Sequence, residues 1–315
     1  MNLNLGVHLG QQNLSMDQMR TAWRRFDAAG MDWISVWDHI YEAPPAGGTI
    51  DHFEAVSTLG ALCADTSHAR IGCLVFCVGY RNPALLAKMA ATLDHISNGR
   101  FELGIGAGWH EQEATAYGYD FPPVGKRLDM LEEAAPLIRS LLDQERTTFD
   151  GEWFRTDNAS NLPRPVQARL PVWIGGTGEK RTLPLAARYA DGWNAAYVSA
   201  AEFGRLNGVL DEACEREGHD PLTIKRGINL QFILGADQAE ADQQRQASIE
   251  QWGPQADRIL DGALLGTPDT AAEQVAAYHA AGATDLNIAL RAPWSVEALD
   301  AYFDDVVPVV RQQSN

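Results

Sequence analysis

Short apolar stretches alternate with longer amphipathic ones along almost the whole chain. Short apolar runs are typical of buried parallel strands, and apolar residues that recur every three or four positions indicate helices packed on one face. The predicted strands cover residues 3–9, 33–37, 71–78, 101–105, 171–174, 192–196, 223–234, 263–265 and 285–290. The predicted helices cover residues 16–29, 54–65, 84–96, 127–142, 180–190, 202–218, 270–282 and 296–311.

The alternation predicts an α/β fold with parallel strands. Such strands need crossover connections, and about eight right-handed crossovers close a (β/α)8 TIM barrel of roughly 250 residues. The 315 residues therefore predict a single barrel domain over residues 1–315, with insertions at about 147–169 and 236–261. The first insertion has the pattern of a hairpin, whereas the second is charged and rich in glutamine.

Charge and cysteine usage narrow the class of protein. The chain has 25 Lys and Arg against 42 Asp and Glu, and the resulting net charge of −17 opposes binding to nucleic-acid phosphates. We find neither the pattern of a secretory signal nor an apolar run long enough to span a bilayer. The four cysteines lack C-x-x-C spacing and lie among apolar neighbours, as buried reduced thiols do. We expect a cytoplasmic protein that binds neither nucleic acid nor membrane.

A polar and aromatic segment follows the second predicted strand. In a (β/α)8 barrel the active site lies where the strands end, and this strand runs into Trp37, Asp38, His39 and Tyr41. A carboxylate beside an imidazole can orient the ring and tune its proton affinity, which suits general acid–base chemistry. The alternative is that Asp38 caps a turn and His39 is a surface residue.

Two glycine-rich segments follow later strands. Gly104, Gly106 and Gly108 alternate at the end of the fourth predicted strand, where missing side chains either let a flat ring approach the backbone or form a tight turn. Residues 175–178 lead directly into a helix, and backbone amides in such a loop can hold a phosphate, although the loop is also a plausible simple connection. Neither segment has the spacing of a dinucleotide fingerprint or a P-loop.

Other catalytic patterns do not occur. The sequence contains no G-x-S-x-G elbow and no H-E-x-x-H pair, and its eight histidines lack metal-ligand spacing along one helix, so no metal is predicted. Four tryptophans fall at or near predicted strand ends, where they either wall a pocket or pack the barrel rim. These are Trp37, Trp109, Trp173 and Trp193.

Four segments taken together resemble the luciferase-like monooxygenase superfamily, and most of all its branch of oxidoreductases that use the deazaflavin coenzyme F420. They read VWDHI, YRNPALLAKMAATLDHISNGRFELGIGAGWHEQEATAYG, RLDMLEEAAPLIRSLL and PVWIGGTGEKRTLPLAARYADGWN. The resemblance runs from about residue 3 to residue 311. It implies a (β/α)8 barrel that holds a deazaflavin or isoalloxazine ring at the carboxyl ends of its strands.

The resemblance also implies roles for particular positions. It places His39 near the ring carbon that carries the hydride, with Asp38 beside it or in contact with the cofactor. It implies a bulged third strand with a non-proline cis peptide behind the ring, formed by Cys73, Leu74, Val75 and Phe76. The other cofactor contacts that it implies are Gly106, Ala107, Gly108, Gln112, Gly175, Gly176, Thr177 and Gly178.

The implied reaction is hydride transfer between F420 and an unidentified small organic substrate, with His39 as the acid or base. The residues expected to shape the substrate pocket are Trp37, Tyr41, Trp109 and Trp193. The cations expected to compensate for an anionic cofactor are Lys180, Arg181 and Arg291.

One departure from the family concerns the substrate. The sugar-phosphate dehydrogenases of this branch carry a glutamate after the first strand, whereas this chain reads GVHLGQQN there, which argues against glucose 6-phosphate. Two alternative functions stay open: an FMN-dependent monooxygenase that uses oxygen, and a non-catalytic barrel that stores or carries a flavin or deazaflavin. By analogy with the family, we expect a homodimer.

Overall fold

Eight parallel strands surrounded by helices form a closed barrel in this structure, a computed structural model that describes residues 3–42 and 47–314, with side chains as far as Gln312. The strands of the described residues are β1 (Asn4–Leu9), β2 (Trp33–Val36), β3 (Arg70–Cys77), β4 (Phe101–Gly106), β5 (Thr147–Asp150), β6 (Arg155–Ala159), β7 (Val172–Gly175), β8 (Gly192–Ala196), β9 (Lys225–Leu234), β10 (Ala263–Gly266) and β11 (Asp285–Leu290). The helices are α1 (Met16–Ala28), α2 (Ala55–Asp65), α3 (Pro83–Ile96), α4 (Glu111–Ala116), α5 (Val124–Asp143), α6 (Thr182–Tyr189), α7 (Ala200–Glu217), α8 (Gln238–Trp252), α9 (Ala256–Asp261), α10 (Pro268–Ala280), α11 (Val296–Ala301) and α12 (Val307–Ser314).

The barrel ladder runs β1-β2-β3-β4-β7-β8-β9-β11 and returns to β1, with every pairing parallel. Strand β9 has two successive neighbours on one side, because its residues 225–229 pair with β8 and its residues 231–234 pair with β10. The predicted (β/α)8 barrel is confirmed, and a strand lies at every predicted strand position. The extent of a single domain over residues 1–315 stays a prediction.

Local sequence signals explain where the outer helices begin. In α1 the hydroxyl of Ser15 accepts the amide of Gln18, whose side chain accepts the amide of Ser15 in return. This reciprocal cap satisfies amides that the first helical turn leaves without partners. The helix then buries Met19, Trp23 and Phe26 on one face, which attaches it to the barrel.

The two predicted insertions have different structures. Strands β5 and β6 pair antiparallel, so the hairpin predicted within residues 147–169 is confirmed. The segment 236–261 contains α8 and α9, which the residue pattern did not predict. In α8 only Ala241 and Ser248 are buried, so this helix has no apolar stripe from which it could be recognised. Within the described residues, no helix combines the length and apolarity that crossing a bilayer requires.

The amino-terminal end of the barrel interior holds an ionic cluster. Arg70 at the start of β3 lies 3.1 Å from Glu102 of β4 and also pairs with Asp285 at the start of β11. Glu102 further accepts the Trp173 indole N–H at 2.5 Å and lies 3.3 Å from Lys225. Charged groups thus fill a layer that branched apolar side chains commonly occupy in such barrels.

Strand β3 is bulged next to β4. The register between the two strands shifts between Cys73 and Phe76, and the Leu74–Val75 peptide is cis. Both features confirm what the resemblance implied for this strand. Cys73, Leu74 and Phe76 are buried, whereas Val75 is half-buried.

Candidate functional site

The carboxyl ends of β2, β3 and β4 bring the predicted acid–base residues together. His39 and Asp38 follow β2, Cys77 ends β3, and the helix α4 that follows β4 carries Glu113. His39 Nδ1 lies 2.9 Å from Glu113 Oε1, and the Glu113 side chain is only 2% exposed. A buried carboxylate therefore holds the imidazole, and it comes from a different part of the chain than sequence reasoning proposed.

Glu113 is an ionised acceptor surrounded by donors. Its Oε2 accepts the backbone amides of Ile40 at 2.7 Å and Tyr41 at 3.1 Å, and its Oε1 accepts the Tyr80 hydroxyl at 2.9 Å. Burial by itself raises the pKa of Glu113, but the hydrogen bonds from His39, Tyr41 and Ile40 outweigh it and lower the pKa to about 2. Burial and the Glu113 charge raise the pKa of Tyr80, which keeps its hydroxyl protonated as a donor.

These contacts assign the tautomer of His39. Because an ionised carboxylate can only accept hydrogen bonds, Nδ1 must carry the proton that it shares with Glu113. The Nε2 atom of the neutral ring then has a free lone pair. The His39 side chain is 14% exposed, so part of the ring is accessible from solvent. The arrangement can accept a proton and stabilise the resulting imidazolium.

Asp38 has a different set of partners. Its Oδ2 accepts the Cys77 amide at 2.9 Å and the Arg81 guanidinium at 2.6 Å, and Arg81 also pairs with Glu54 at 2.9 Å. Burial raises the pKa of Asp38 to about 6, against the lowering effect of Arg81 and the Cys77 amide. Asp38 thus ties the end of β2 to the end of β3, and the residue that orients His39 is Glu113. Sequence reasoning missed both Glu113 and Arg81.

Aromatic rings surround His39. Trp37 stands edge-on to it at 6.0 Å between ring centroids, and Trp109 does so at 5.2 Å. Trp109 stacks on His110 at 5.0 Å and is 60% exposed, so its outer face is open to a ligand. Tyr41 lies farther out and packs edge-on against the exposed Tyr117 at 5.5 Å. Three of the four predicted pocket residues therefore lie at this end of the barrel.

The fourth predicted pocket residue, Trp193, lies elsewhere. Its side chain is fully buried and stacks on Phe203 of α7 at 5.4 Å. Its indole N–H donates to the Gly176 carbonyl at 2.7 Å. A side chain without exposed surface cannot wall an open pocket, so Trp193 instead supports the loop after β7 from inside the core.

That loop, residues 175–178, lies at the carboxyl end of β7. Gly176, Thr177 and Gly178 are exposed, and Gly176 has a φ of +125°, a conformation that favours glycine. Lys180 is also exposed beside them. Arg181, in contrast, pairs with Glu132 and Asp129 at 2.7 Å each, so two carboxylates already neutralise its charge.

The glycines after β4 and β7 make room for the bulge of β3. A Cβ atom on Gly106 would lie 2.6 Å from Val75 Cγ2, and one on Gly175 would lie 2.8 Å from Val75 Cγ1. At Gly108 it would lie 2.5 Å from the Cys77 sulfur. The missing side chains thus admit Val75 directly, and a ring at the barrel mouth would rest on Val75 and the neighbouring backbone. The other implied contacts are Ala107, which is half-buried, and Gln112, which is exposed.

His39, His110 and Glu113 could in principle form a metal site. Their candidate ligand atoms lie within 4.8 Å of one another. Both Glu113 oxygens, however, already accept hydrogen bonds from backbone amides and from the side chains of His39 and Tyr80. A hydrogen-bonded cluster accounts for this geometry without an ion.

Comparison with known proteins places this geometry in a family. The family model described as luciferase-like monooxygenase matches residues 3–285. An uncharacterized protein of Mycobacterium tuberculosis is 39% identical over 221 residues, which cover 70% of this chain and 72% of that protein. The F420-dependent glucose-6-phosphate dehydrogenase of Intrasporangium calvum is 26% identical over 321 residues, which cover 91% of this chain and 92% of that protein.

A solved structure shares the fold over the full length. An F420-dependent secondary alcohol dehydrogenase in complex with an F420-acetone adduct matches with a TM-score of 0.87, covering 98% of this chain and 99% of that chain at 21% identity. The family match spans most of the sequence, and it includes the segments that carry His39, Glu113 and the loop at 175–178. The chain therefore belongs to the luciferase-like monooxygenase family.

Proposed function

We infer that this protein is a coenzyme F420-dependent oxidoreductase that transfers a hydride between the deazaflavin and a small organic substrate. The observation that carries the inference is the His39–Glu113 pair at the barrel mouth, with Nδ1 occupied and Nε2 available for a proton. Support for F420 comes from a relative that spans the chain, the dehydrogenase of Intrasporangium calvum.

The residues at the barrel mouth fit such a cofactor. The exposed loop residues Thr177 and Gly178 and the side chain of Lys180 would hold its phosphate, and Val75 with Gly106 and Gly108 would support its ring. When bound, F420 accepts or donates a hydride at one ring carbon. The same surface offers Trp109, which is 60% exposed, as a flat apolar contact beside His39.

His39 supplies the proton chemistry of the reaction. When an alcohol is oxidised, its carbinol C–H leaves as hydride and its O–H proton passes to His39 Nε2, so that a carbonyl forms. Glu113 stabilises the imidazolium that results, because its ionised carboxylate lies 2.9 Å from Nδ1. In the reverse direction the imidazolium returns this proton to the substrate oxygen.

Two titrations of the purified protein test the choice of cofactor, one with oxidised F420 and one with FMN, both followed by tryptophan emission. Trp109 and Trp37 lie within 6.0 Å of His39, so a ring bound there should quench them. We expect saturable binding of F420 and weaker binding of FMN. A preference for FMN together with oxygen uptake would establish the monooxygenase alternative. Tight binding without turnover of any substrate would favour a carrier of the cofactor.

A second test concerns His39 itself. His39→Ala should lower kcat by roughly 10²- to 10⁴-fold, since a positioned acid or base contributes about that much. It should leave F420 affinity within about twofold, because other residues make the proposed contacts to the phosphate and to the face of the ring. The exposed His68, replaced by Ala, serves as the matched control. Full turnover by His39→Ala would refute the proposed role.

Quaternary structure and compartment are also proposals. We propose a homodimer that covers exposed apolar side chains of α3 and the loop before β7; these are Leu85, Ile96, Leu162 and Val166. Light scattering should give twice the chain mass, and Leu85→Glu should lower it. The four cysteines are unpaired, and Cys63, Cys73 and Cys214 are buried, which supports a cytoplasmic location.

A further inference from the structure

A large cavity opens at the carboxyl ends of β9 and β11, at the same end of the barrel as His39. Its volume is about 790 Å³, within the range of pockets that hold small organic molecules. Helix α8 forms one wall, and the segments after β1 and β11 form the others. The cavity is centred on β11, which lies across the barrel from β4 in the closed ladder.

Most of the polar side chains that line this cavity are neutral. Its amide side chains are Gln12, Asn13, Gln231, Gln243, Gln244 and Gln251. Such groups both donate and accept, so they match hydroxyl groups, which do the same. Trp294 and Phe232 add apolar surface of the kind that packs against the C–H faces of a carbohydrate ring.

Two of the lining side chains carry buried polar atoms without partners. Gln231 Oε1 and Ser248 Oγ are shielded from bulk water, and neither has a hydrogen-bond partner within the described part of the chain. Gln231 is 9% exposed and Ser248 is 7% exposed. A buried polar atom left unsatisfied costs about 1–3 kcal/mol, so a polar ligand that the Gln231 and Ser248 side chains turned to meet would remove that cost.

The charge of the cavity is unsuited to an anionic ligand. Arg291 is the only cation among the described lining residues, whereas Glu240 and Glu297 contribute two negative charges. The guanidinium of Arg291 also lies against three aromatic rings, at 5.4 Å from Trp37, 5.8 Å from Tyr197 and 5.3 Å from Trp252. A phosphate group would meet a net negative wall in a protein whose charge is −17.

Arg291 and Trp37 connect the wall of the cavity to the acid–base pair. Arg291 lines the cavity and packs on Trp37 at 5.4 Å, and Trp37 stands edge-on to His39 at 6.0 Å. A substrate that extends along this wall would place its reacting carbon at His39 and its remote part in the cavity. Binding energy from that remote part would position the reacting carbon.

We propose that this cavity binds the non-reacting part of the substrate, and that the substrate is an uncharged polyhydroxylated compound such as a glycoside or sugar alcohol. The proposal rests on the oxidoreductase function inferred above and specifies its substrate class. The hydroxyl groups of such a molecule complete Gln231 and Ser248, and the neutral amides of the cavity bind the others.

Direct binding tests the proposal without requiring turnover. The probes are glucose, trehalose and sorbitol, with glucose 6-phosphate as the partner of glucose that differs only by its charged group. Saturation-transfer NMR and calorimetry on the purified protein should show saturable binding of at least one neutral probe and at least tenfold weaker binding of glucose 6-phosphate. Tighter binding of the phosphate ester, or no saturable binding of any neutral probe, would overturn the proposal.

Matched variants locate the binding. Gln231→Leu and Ser248→Ala should each weaken the neutral probe by about tenfold, since each removes one hydrogen bond to a buried group. Gln246→Leu changes an exposed glutamine of the same helix α8 and should have no effect. F420 affinity, measured in parallel, should stay unchanged in all three. If the cavity variants weaken F420 and leave the sugar signal intact, the cavity holds part of the cofactor and the substrate proposal fails. Failure of wild type to bind F420 would count against the proposed function alone.

Discussion

Among the residues that do not contact the substrate, Glu113 should have the largest effect on turnover. Glu113→Gln should lower kcat by roughly 10- to 100-fold, because an amide neither fixes the tautomer of His39 nor stabilises its imidazolium. F420 affinity should change by less than about twofold, which separates positioning from loss of the site. Steady-state kinetics and an F420 titration measure the two quantities. Glu111→Gln, in the same helical turn but exposed, should keep wild-type kcat. Equal kcat in both variants would contradict the assigned role.

A buried histidine, His8, and a half-buried one, His52, both contact Trp37 and predict a loss of stability in acid. Burial lowers the pKa of His8 to about 3 and that of His52 to about 4, from 6.5. Between the folded and unfolded pKa values of each histidine, the unfolded chain binds a proton that the folded chain does not. The two histidines therefore contribute fully to the free energy of unfolding above about pH 6.5, and this contribution falls as the pH drops toward 4. Asp38, whose pKa is raised to about 6, acts in the opposite direction between its two values.

The test compares how the free energy of unfolding changes with pH in the wild type and in a variant, so that the contributions of the other titrating groups cancel. His8→Gln should reduce the change of unfolding free energy with pH by about 1.4 kcal/mol per pH unit, the effect of one proton. Denaturant unfolding at several pH values between about 4 and 7 measures the slopes. His68→Gln, a substitution of an exposed histidine, is measured in parallel as the control. A variant slope equal to that of the wild type would show that His8 is protonated in the folded protein.

His39 and its two carboxylate neighbours show what the sequence could and could not indicate about the site. His39 was predicted from its place after a strand, but its neighbour in sequence, Asp38, was assigned as its partner. The actual partner is 74 positions away and reaches His39 only because β2 and β4 end at the same face. Glu113 carries one local signal, a carboxylate in the first turn of α4 directly after the glycine segment.

Between elements, the bulge of β3 and the glycines of its neighbours form one packing unit. Gly106→Ala places a methyl group 2.6 Å from Val75 Cγ2 and should destabilise the protein by about 1–3 kcal/mol through overpacking. Val75→Ala removes the obstructing group, so the double variant should recover most of that loss. Unfolding free energies from a double-mutant cycle measure the coupling. Gly125→Ala, where no atom lies within 4 Å, is the control. Additive effects of the two changes would disprove the packing unit.

Strands were easier to predict than helices in this chain. Every barrel strand is a largely buried segment that contains a short apolar stretch, and that pattern depends only on its own residues. Helix α8 has few buried side chains, and α4 has only six residues, too few for an apolar period to be visible. Both helices lie over the barrel mouth, where polar surface serves ligand binding more than core packing.

Across the whole molecule, the ionic layer at the amino-terminal end holds four strands together. Arg70→Met would remove the cation that pairs with Asp285 and one of the two cations that pair with Glu102. The substitution should lower the free energy of unfolding by about 3–5 kcal/mol. Thermal and denaturant unfolding measure the loss. Arg205→Met breaks exposed pairs with Glu179 and Glu202 and should change stability little. Because this layer lies at the end opposite to His39, F420 affinity of the folded Arg70 variant should be unchanged.

Strand β9 pairs with β8 along one half and with β10 along the other, and this arrangement affects which parts of the chain can vary. The barrel closes through the pairing of residues 227–231 with β11, and β10 takes no part in that closure. The segment from α8, which forms one wall of the cavity, through β10 leaves β9 and returns to pair with the same strand. Because β10 is not needed to close the barrel, changes in this segment would leave the closing pairings intact, and the wall of the cavity can vary independently of the scaffold.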